Sequence, residues 1–243
     1  MSWSAVLQNY ARMKDPEREL DKGVLLRSDE KTLVIFDGFE KAKYHFLVMP
    51  RDPFPLPSGE KVPPKDLDSL NALLSGDHAL EVLKELERQA EEVKETIQEE
   101  MVKKEGWAWD VQVGFHAAES MKHVHLHVIS GDLISPKLKN KKHYNSFHPT
   151  LGFFLPLADV LKGVEDGSFK LKPAKTYEAL LKEDLVSFYD QKTYANIPKL
   201  KAHLEAAWEK LGRKKKKELA AKEAEKEDED GGEREKKRQK TEA

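Results

Sequence analysis

His123-Val124-His125-Leu126-His127-Val128-Ile129 is the stretch on which the reading of this chain turns. Three imidazoles alternate with aliphatic side chains at the period of a β-strand, which predicts the histidines on one face and Val124, Leu126 and Val128 in the core. Three imidazoles in a row are costly on a merely structural strand. The pattern admits a solvated His-rich edge strand, a zinc or copper site built from i, i+2, i+4 imidazoles, or nucleophilic and acid–base catalysis.

Outward from that stretch, Trp107 to Phe115 alternates and reads as a preceding strand. Thr32-Leu33-Val34-Ile35-Phe36 and Tyr44-His45-Phe46-Leu47-Val48-Met49 are β-rich runs separated by a loop that opens with Asp37-Gly38, which predicts a hairpin. Between them and the histidines, Ala79, Val82, Leu83, Leu86, Ala90, Val93, Ile97 and Met101 step by three and four, the spacing of one long amphipathic helix. A short helix is expected around Trp3, Val6, Leu7 and Tyr10, ending near Asp15-Pro16. A last one opens near Pro198 with Leu200, Leu204 and Trp208 on one face.

Of the 243 residues, 35% are charged, above the usual quarter, and the excess collects at the end. Residues 211–243 hold 12 Lys/Arg, 10 Asp/Glu, no aromatic and only two Leu, so this tail is expected to be disordered. The rest is weakly acidic, which excludes a globally basic nucleic-acid binder but not a local basic patch. With no cysteine, thiolate zinc sites, iron–sulfur clusters and cysteine nucleophiles are excluded. No run is apolar enough to span a membrane and Met1 to Val6 lacks a signal pattern, so a soluble, intracellular chain is expected.

The His-φ-His-φ-His-φ-φ pattern resembles the histidine triad family of nucleotide hydrolases and transferases, and its surroundings resemble the aprataxin branch. The resemblance runs through Trp3-Ser4, Val34 to Pro50, Gly114-Phe115-His116-Ala117, Ser120-Met121, Ser135-Pro136 and Leu138 to Phe147. It implies an α+β fold, an antiparallel sheet with flanking helices followed by a small zinc-finger-like module. The expected divisions are a catalytic domain over 1–150, the C-terminal module over 151–210 and the charged tail over 211–243.

By position, the resemblance makes His125 the nucleophile that attacks the α-phosphorus of an adenylate, with a covalent histidine–AMP intermediate released by water. It places His123 and His127 beside the phosphate as hydrogen-bond donors, and makes His45 a residue that orients the region. His116 would assist departure of the leaving group, unless it is simply a buried histidine on the preceding strand. Ser120 would meet a phosphate oxygen. Asp37 would accept the ribose hydroxyls, against a plain turn aspartate. Lys41 would stand beside the nucleotide, against a solvated loop lysine. Lys137, Lys139, Lys141, Lys142 and His143 form a basic cluster suited to a phosphate backbone, although charge runs also make solvated faces. Trp3 would stack at the end of a DNA helix, or else pack on the sheet.

One module departs from the family pattern. At the spacing C-x2-C-x12-H-x3-H the chain carries Ser187, Asp190, His203 and Ala207, so no structural zinc is expected there. Phe188, Tyr189, Tyr194, Ile197 and Trp208 would hold the module by packing, with Lys192, Lys199 and Lys201 facing DNA. The basic clusters Arg213 to Lys217 and Arg234 to Lys240 read as nuclear-import or DNA-tethering signals.

These readings converge on a nuclear DNA-repair hydrolase, acting in single-strand break repair, that releases AMP from 5′-adenylated DNA ends. The expected partner is damaged DNA and the product AMP, with no cofactor, no metal and no membrane, in a monomer. The rivals are a general triad phosphoramidase acting on small adenylates and a non-catalytic nucleic-acid end-binding module.

Overall fold

The computed structural model describes residues 3–241, with side chains described through Lys222. A six-stranded antiparallel sheet is built from β1 (Leu25–Ser28), β2 (Thr32–Phe36), β3 (His45–Pro50), β4 (Val111–His116), β5 (Leu126–Ser130) and β6 (Phe154–Pro156), in the spatial order β1-β2-β3-β5-β4-β6. The helices are α1 (Val6–Ala11), α2 (Pro16–Glu19), α3 (Leu70–Leu74), α4 (Ala79–Glu105), α5 (Lys141–Asn145), α6 (Leu157–Glu165), α7 (Ala174–Leu180) and α8 (Ile197–Thr241). A two-stranded ribbon, β7 (Leu185–Val186) with β8 (Thr193–Tyr194), precedes the last helix. Among the described residues no helix is long and apolar enough to cross a membrane.

The predicted helix forms with all eight of its stepped apolar residues buried. It packs on the sheet face that carries Val34, Phe46, Val48, Leu126 and Val128. It stops at Gly106, whose positive φ of 72° lets the chain turn away while its N–H still reaches the Val102 carbonyl. Alternation sends the neighbours of those core residues to the opposite face: Leu33, Ile35, Leu47 and Met49 beneath α1, and His45, His127 and Ile129 toward α5. The register sets Leu47 and Gly114 on either side of His127.

Several expectations are corrected here. His123 and His125 precede β5, so the three imidazoles do not share one regular strand face. His123 has φ 89°, a conformation that costs a non-glycine residue about 1–3 kcal/mol. It is held there by contacts distant in sequence, its N–H on the Asp68 carbonyl and its Nε2 on the Pro50 carbonyl. The strand expected from Trp107 begins at Val111, because Trp107 and Trp109 are instead buried against Trp208 of α8. Past residue 150 the chain adds β6 and α6 to the sheet and its core. β6 pairs with β4, and α6 buries Leu157, Val160 and Leu161 in the core shared with α4, so the sheet and its core are completed by chain beyond residue 150.

The tail expected to be disordered from residue 211 begins inside a helix. Leu211 continues the face of Leu204 and Trp208 and packs on the main core. A Cβ at Gly212 would stand 2.8 Å from the Trp107 ring, so only glycine lets the helix lie this close. The acidic block Glu223 to Asp230 and the second basic cluster lie outside the residues whose side chains are described.

Candidate active site

The β2–β3 loop, the end of β4, the segment before β5 and α5 converge on a cavity of about 620 Å³. Its floor is histidine. His125 Nδ1 lies 2.8 Å from the His123 carbonyl. A carbonyl only accepts, so Nδ1 carries the proton and Nε2 keeps its lone pair, with no protein partner among the described residues. The group that fixes the His125 tautomer is therefore the backbone carbonyl of His123. His45 has a different task, in a relay that fixes the next ring. The Lys41 N–H donates to His45 Nδ1 at 3.2 Å, which makes His45 Nε2 the protonated nitrogen. His45 Nε2 then donates to His127 Nδ1 at 3.0 Å, which leaves His127 Nε2–H as a buried donor without a partner. The His116 ring lies 4.3 Å from that of His127, and its Nε2 is likewise buried and unpartnered. The buried His127 N–H without a partner, beside the free lone pair of His125, suits a phosphate oxygen, since buried polar atoms without partners are rare in native structures.

His123 is placed elsewhere than expected. Its imidazole is spent on the Pro50 carbonyl at 2.6 Å and does not line the cavity, so its contribution is the carbonyl that pins His125.

Burial is the first cause of the low basicity of these rings. It lowers His45 to about 4, with Asp37 opposing, and His123 to about 4, with the Pro50 hydrogen bond opposing. His116 and His127 are pushed well below the usual value by burial and by the other imidazoles. The four rings are accordingly neutral near pH 7. Lys41, buried with its ammonium on the Phe39 carbonyl, is also lowered by burial, with Asp37 and Glu40 opposing.

The loop residues take mixed roles. Asp37 lines the cavity, but its Oδ1 already accepts the Phe39 N–H at 2.7 Å and its Oδ2 sits 3.4 Å from His45 Nε2, so one oxygen serves the turn. Asp37, His45 and His127 come close enough to frame a metal ion. The donor set does not fit one, because His45 Nε2 holds a proton and the lone pair of His127 Nδ1 receives it. Ser120 is exposed at the rim, beside Met121. Trp3, 55% exposed, and Phe39, 59% exposed, also line the cavity, so Trp3 is not buried on the sheet. Phe39 and Ser146 carried no sequence expectation of a role, and Phe147 only that of an aromatic beside the basic cluster that favours nucleic acid. The only signal was an aromatic two residues after the Asp37 turn and the Ser146-Phe147 pair after the lysines.

The basic cluster divides. Lys139, Lys142 and His143 line the mouth, and neither the Lys139 nor the Lys142 ammonium has a protein partner among the described residues. His143 is held by the Lys139 N–H on Nδ1 and by Asn140 near Nε2, and burial lowers its pKa. Lys137 is tied to the Gly38 carbonyl and to Glu40 at 2.7 Å. Lys141 is corrected: it points away, to the Lys182 carbonyl and Asp184, because it starts α5 on the side that meets the C-terminal module. In that module Lys201 is likewise engaged, on the Ser135 carbonyl at 2.8 Å, and Lys192 pairs with Asp190, leaving Lys199 of the three expected to face DNA.

Residues 4–143 match the family model described as scavenger mRNA decapping enzyme C-term binding, and residues 150–210 match a C2HE / C2H2 / C2HC zinc-binding finger. Aprataxin of Danio rerio is 37% identical over 204 residues and aprataxin of Ciona intestinalis 33% identical over 204, each across 84% of this chain. This chain spans about half the length of those two relatives, 53% and 46%. The aprataxin-like protein of Saccharomyces cerevisiae is 34% identical over 220 residues, covering 84% of this chain and 95% of the relative. Among solved structures, the aprataxin ortholog Hnt3 in complex with DNA matches with TM-score 0.66 and 26% identity over 86% of this chain and 96% of that chain.

The finger model implies zinc, and the residues at its ligand spacing do not fit it. Two thiolates are replaced by a hydroxyl and a carboxylate, and Ala207 offers no donor atom. The sheet with its histidines lies within the first family match, and the yeast relative is matched almost end to end, so the chain belongs to the aprataxin family of histidine triad proteins.

Proposed function

We propose that this protein is a DNA deadenylase that hydrolyses 5′-adenylated DNA ends to AMP and DNA with a 5′-phosphate. The observation that carries the reading is a single constellation: the lone pair of His125 Nε2, the unpartnered nitrogens of His116 and His127, and the free ammonium groups of Lys139 and Lys142 at one cavity mouth. The related structure solved on DNA supports a nucleic-acid substrate.

In this reading the Nε2 lone pair attacks the α-phosphorus of the adenylate. The P–N bond forms as the P–O bond to the DNA 5′-phosphate breaks, and the DNA departs with the bridging oxygen and its electron pair. The ring, still protonated on Nδ1, becomes cationic, and the His123 carbonyl stabilises that charge. His127 Nε2–H donates to a phosphate oxygen as negative charge builds. His116 carries its proton on the nitrogen that meets the Ser146 carbonyl, so its Nε2 holds a lone pair in the free protein and assists the leaving phosphate only after taking up a proton as the anionic substrate binds. Water then adds to the phosphorus, the P–N electron pair returns to Nε2, a proton passes to the phosphate or solvent, and AMP leaves. Asp37, Lys41 and Ser120 surround the nucleotide, while Trp3 and Phe39 offer flat faces on which bases can stack.

Single-turnover AMP release from a nicked duplex bearing a 5′-adenylate, set beside an equal concentration of a small adenosine phosphoramidate, tests this reading. The nick should be strongly preferred. Lys139→Glu with Lys142→Glu should weaken DNA binding by about 10-fold or more at moderate salt and flatten its salt dependence, leaving the small substrate unaffected. Equal turnover of both substrates by the unaltered protein would point to a general phosphoramidase instead. DNA binding without AMP release would point to an end-binding module.

Nuclear location is part of the same proposal, resting on the basic cluster Arg213 to Lys217 and its second copy near the end of the chain. A cytosolic reporter fused to residues 211–243 should collect in the nucleus, and an even distribution would remove this part.

A further inference from the structure

The turn where a finger would hold its metal is pinned by a polar cluster. Ser187 is fully buried, and its Oγ lies 2.9 Å from His203 Nε2 while accepting the Tyr189 N–H at 3.2 Å. Asp190 Oδ1 stands 3.5 Å from the same His203 nitrogen and accepts the Lys192 N–H at 3.1 Å. The His203 ring stacks on Tyr194 with centroids 4.7 Å apart and planes 25° from parallel. Backbone bonds close the turn beneath them, Ser187 N–H to the Lys192 carbonyl and Gln191 N–H to the Ser187 carbonyl.

The Ser187–His203 contact has the length of a hydrogen bond, not of two ligands on one metal. Two ligands of a tetrahedral zinc with bonds of about 2.0 Å stand about 3.3 Å apart, whereas Ser187 Oγ and His203 Nε2 are at 2.9 Å with a proton between them. The fourth ligand position, Ala207, is a methyl group on α8. The pinned ribbon in turn holds the basic rim of the active site. Tyr144 of α5 donates to the Val186 carbonyl at 2.8 Å, and Asn145 donates to the Glu183 carbonyl at 2.8 Å.

We propose that the Ser187–His203–Asp190 cluster takes the place of the metal in this chain, so that the C-terminal module folds and docks on α5 without zinc. The inference concerns how the module is held, and its tests do not use AMP release, so it stands or falls separately from the proposed activity.

The full chain, purified without chelator, should contain far less than one zinc per molecule by elemental analysis, and excess EDTA should leave its Tm unchanged. Ser187→Ala and His203→Ala should each lower Tm by about 2–4 °C or more, because each removes the hydrogen bond that pins the turn and His203→Ala also leaves the buried Ser187 hydroxyl short of a partner. The combined variant S187C/D190C/A207H should bind one zinc and acquire a Tm that falls on chelation, since it restores the ligands at the family spacing. One zinc per unaltered chain, with a fall in Tm on EDTA, would overturn the proposal whatever the variants do. So would Ser187→Ala and His203→Ala both leaving Tm unmoved.

Discussion

His125→Ala should lower single-turnover AMP release from adenylated nicked DNA by about 10⁴-fold or more, the scale seen when a covalent nucleophile is removed. No other ring can substitute for it. His127 offers a donor at Nε2 because the relay from Lys41 through His45 fixes its tautomer. His116 is displaced toward Phe147, with ring centroids 4.5 Å apart. His127→Ala should cost about 10²–10³-fold, the range for loss of one donor to a developing oxyanion. His123→Ala is the discriminating case. The atom that pins His125 is the carbonyl of residue 123, which the substitution keeps, so the loss should not exceed about 10²-fold, the cost of slight misplacement once the anchor on Pro50 is gone. A His123→Ala loss as deep as that of His125→Ala would place the first imidazole on the phosphate and contradict the geometry described.

Mild acid should unfold this protein. His45, His116, His123 and His127 all have folded pKa values depressed by burial, two of them to about 4, while in the unfolded chain each titrates near 6.5. A depressed histidine binds more protons when unfolded, so its stability contribution is complete above pH 6.5 and is lost as pH falls toward the folded pKa. Each contributes a slope of about 1.4 kcal/mol per pH unit within its window, so four together reach roughly 5 kcal/mol per unit, against a total stability of about 5–15 kcal/mol. Asp132, raised by burial, opposes the trend as a single group. Urea unfolding at pH 7.5, 6.5, 5.5 and 5.0 should therefore show stability falling steeply below pH 6.5. Saturating AMP should move the fall to lower pH, because a phosphate anion favours protonation of the rings around it. A slope of less than one proton between pH 6.5 and 5 would mean that the histidines are not buried neutral.

The alternation in Thr32–Phe36 and His45–Pro50 and the three-and-four spacing of Ala79 to Met101 set the sheet hairpin and its covering helix, because one face of each must be buried and only one register buries it. The sequence pattern also marked the cavity histidines and the absence of thiolates at the finger positions. β1 and β6 were not legible, since strands of four and three residues at the sheet edges carry too little periodicity to register. The place of Leu211 and Gly212 was hidden by composition, because the surrounding lysines dominate a window in which two positions touch the tryptophan cluster.

What the chain determined by itself was which side chains would be apolar neighbours, a local consequence of period and residue type, while His125 was singled out among the imidazoles only by the resemblance to the histidine triad family. What only the tertiary structure decided was how the triad is oriented. His123 turns to a positive φ because Asp68 takes its N–H and Pro50 takes its ring, partners 55 and 73 positions away that no local pattern can announce. The division of the basic cluster has the same origin. Lys139 and Lys142 face the cavity and Lys141 faces the module because α5 is wedged between them, and a helix wedged between two surfaces must present neighbouring residues to different sides.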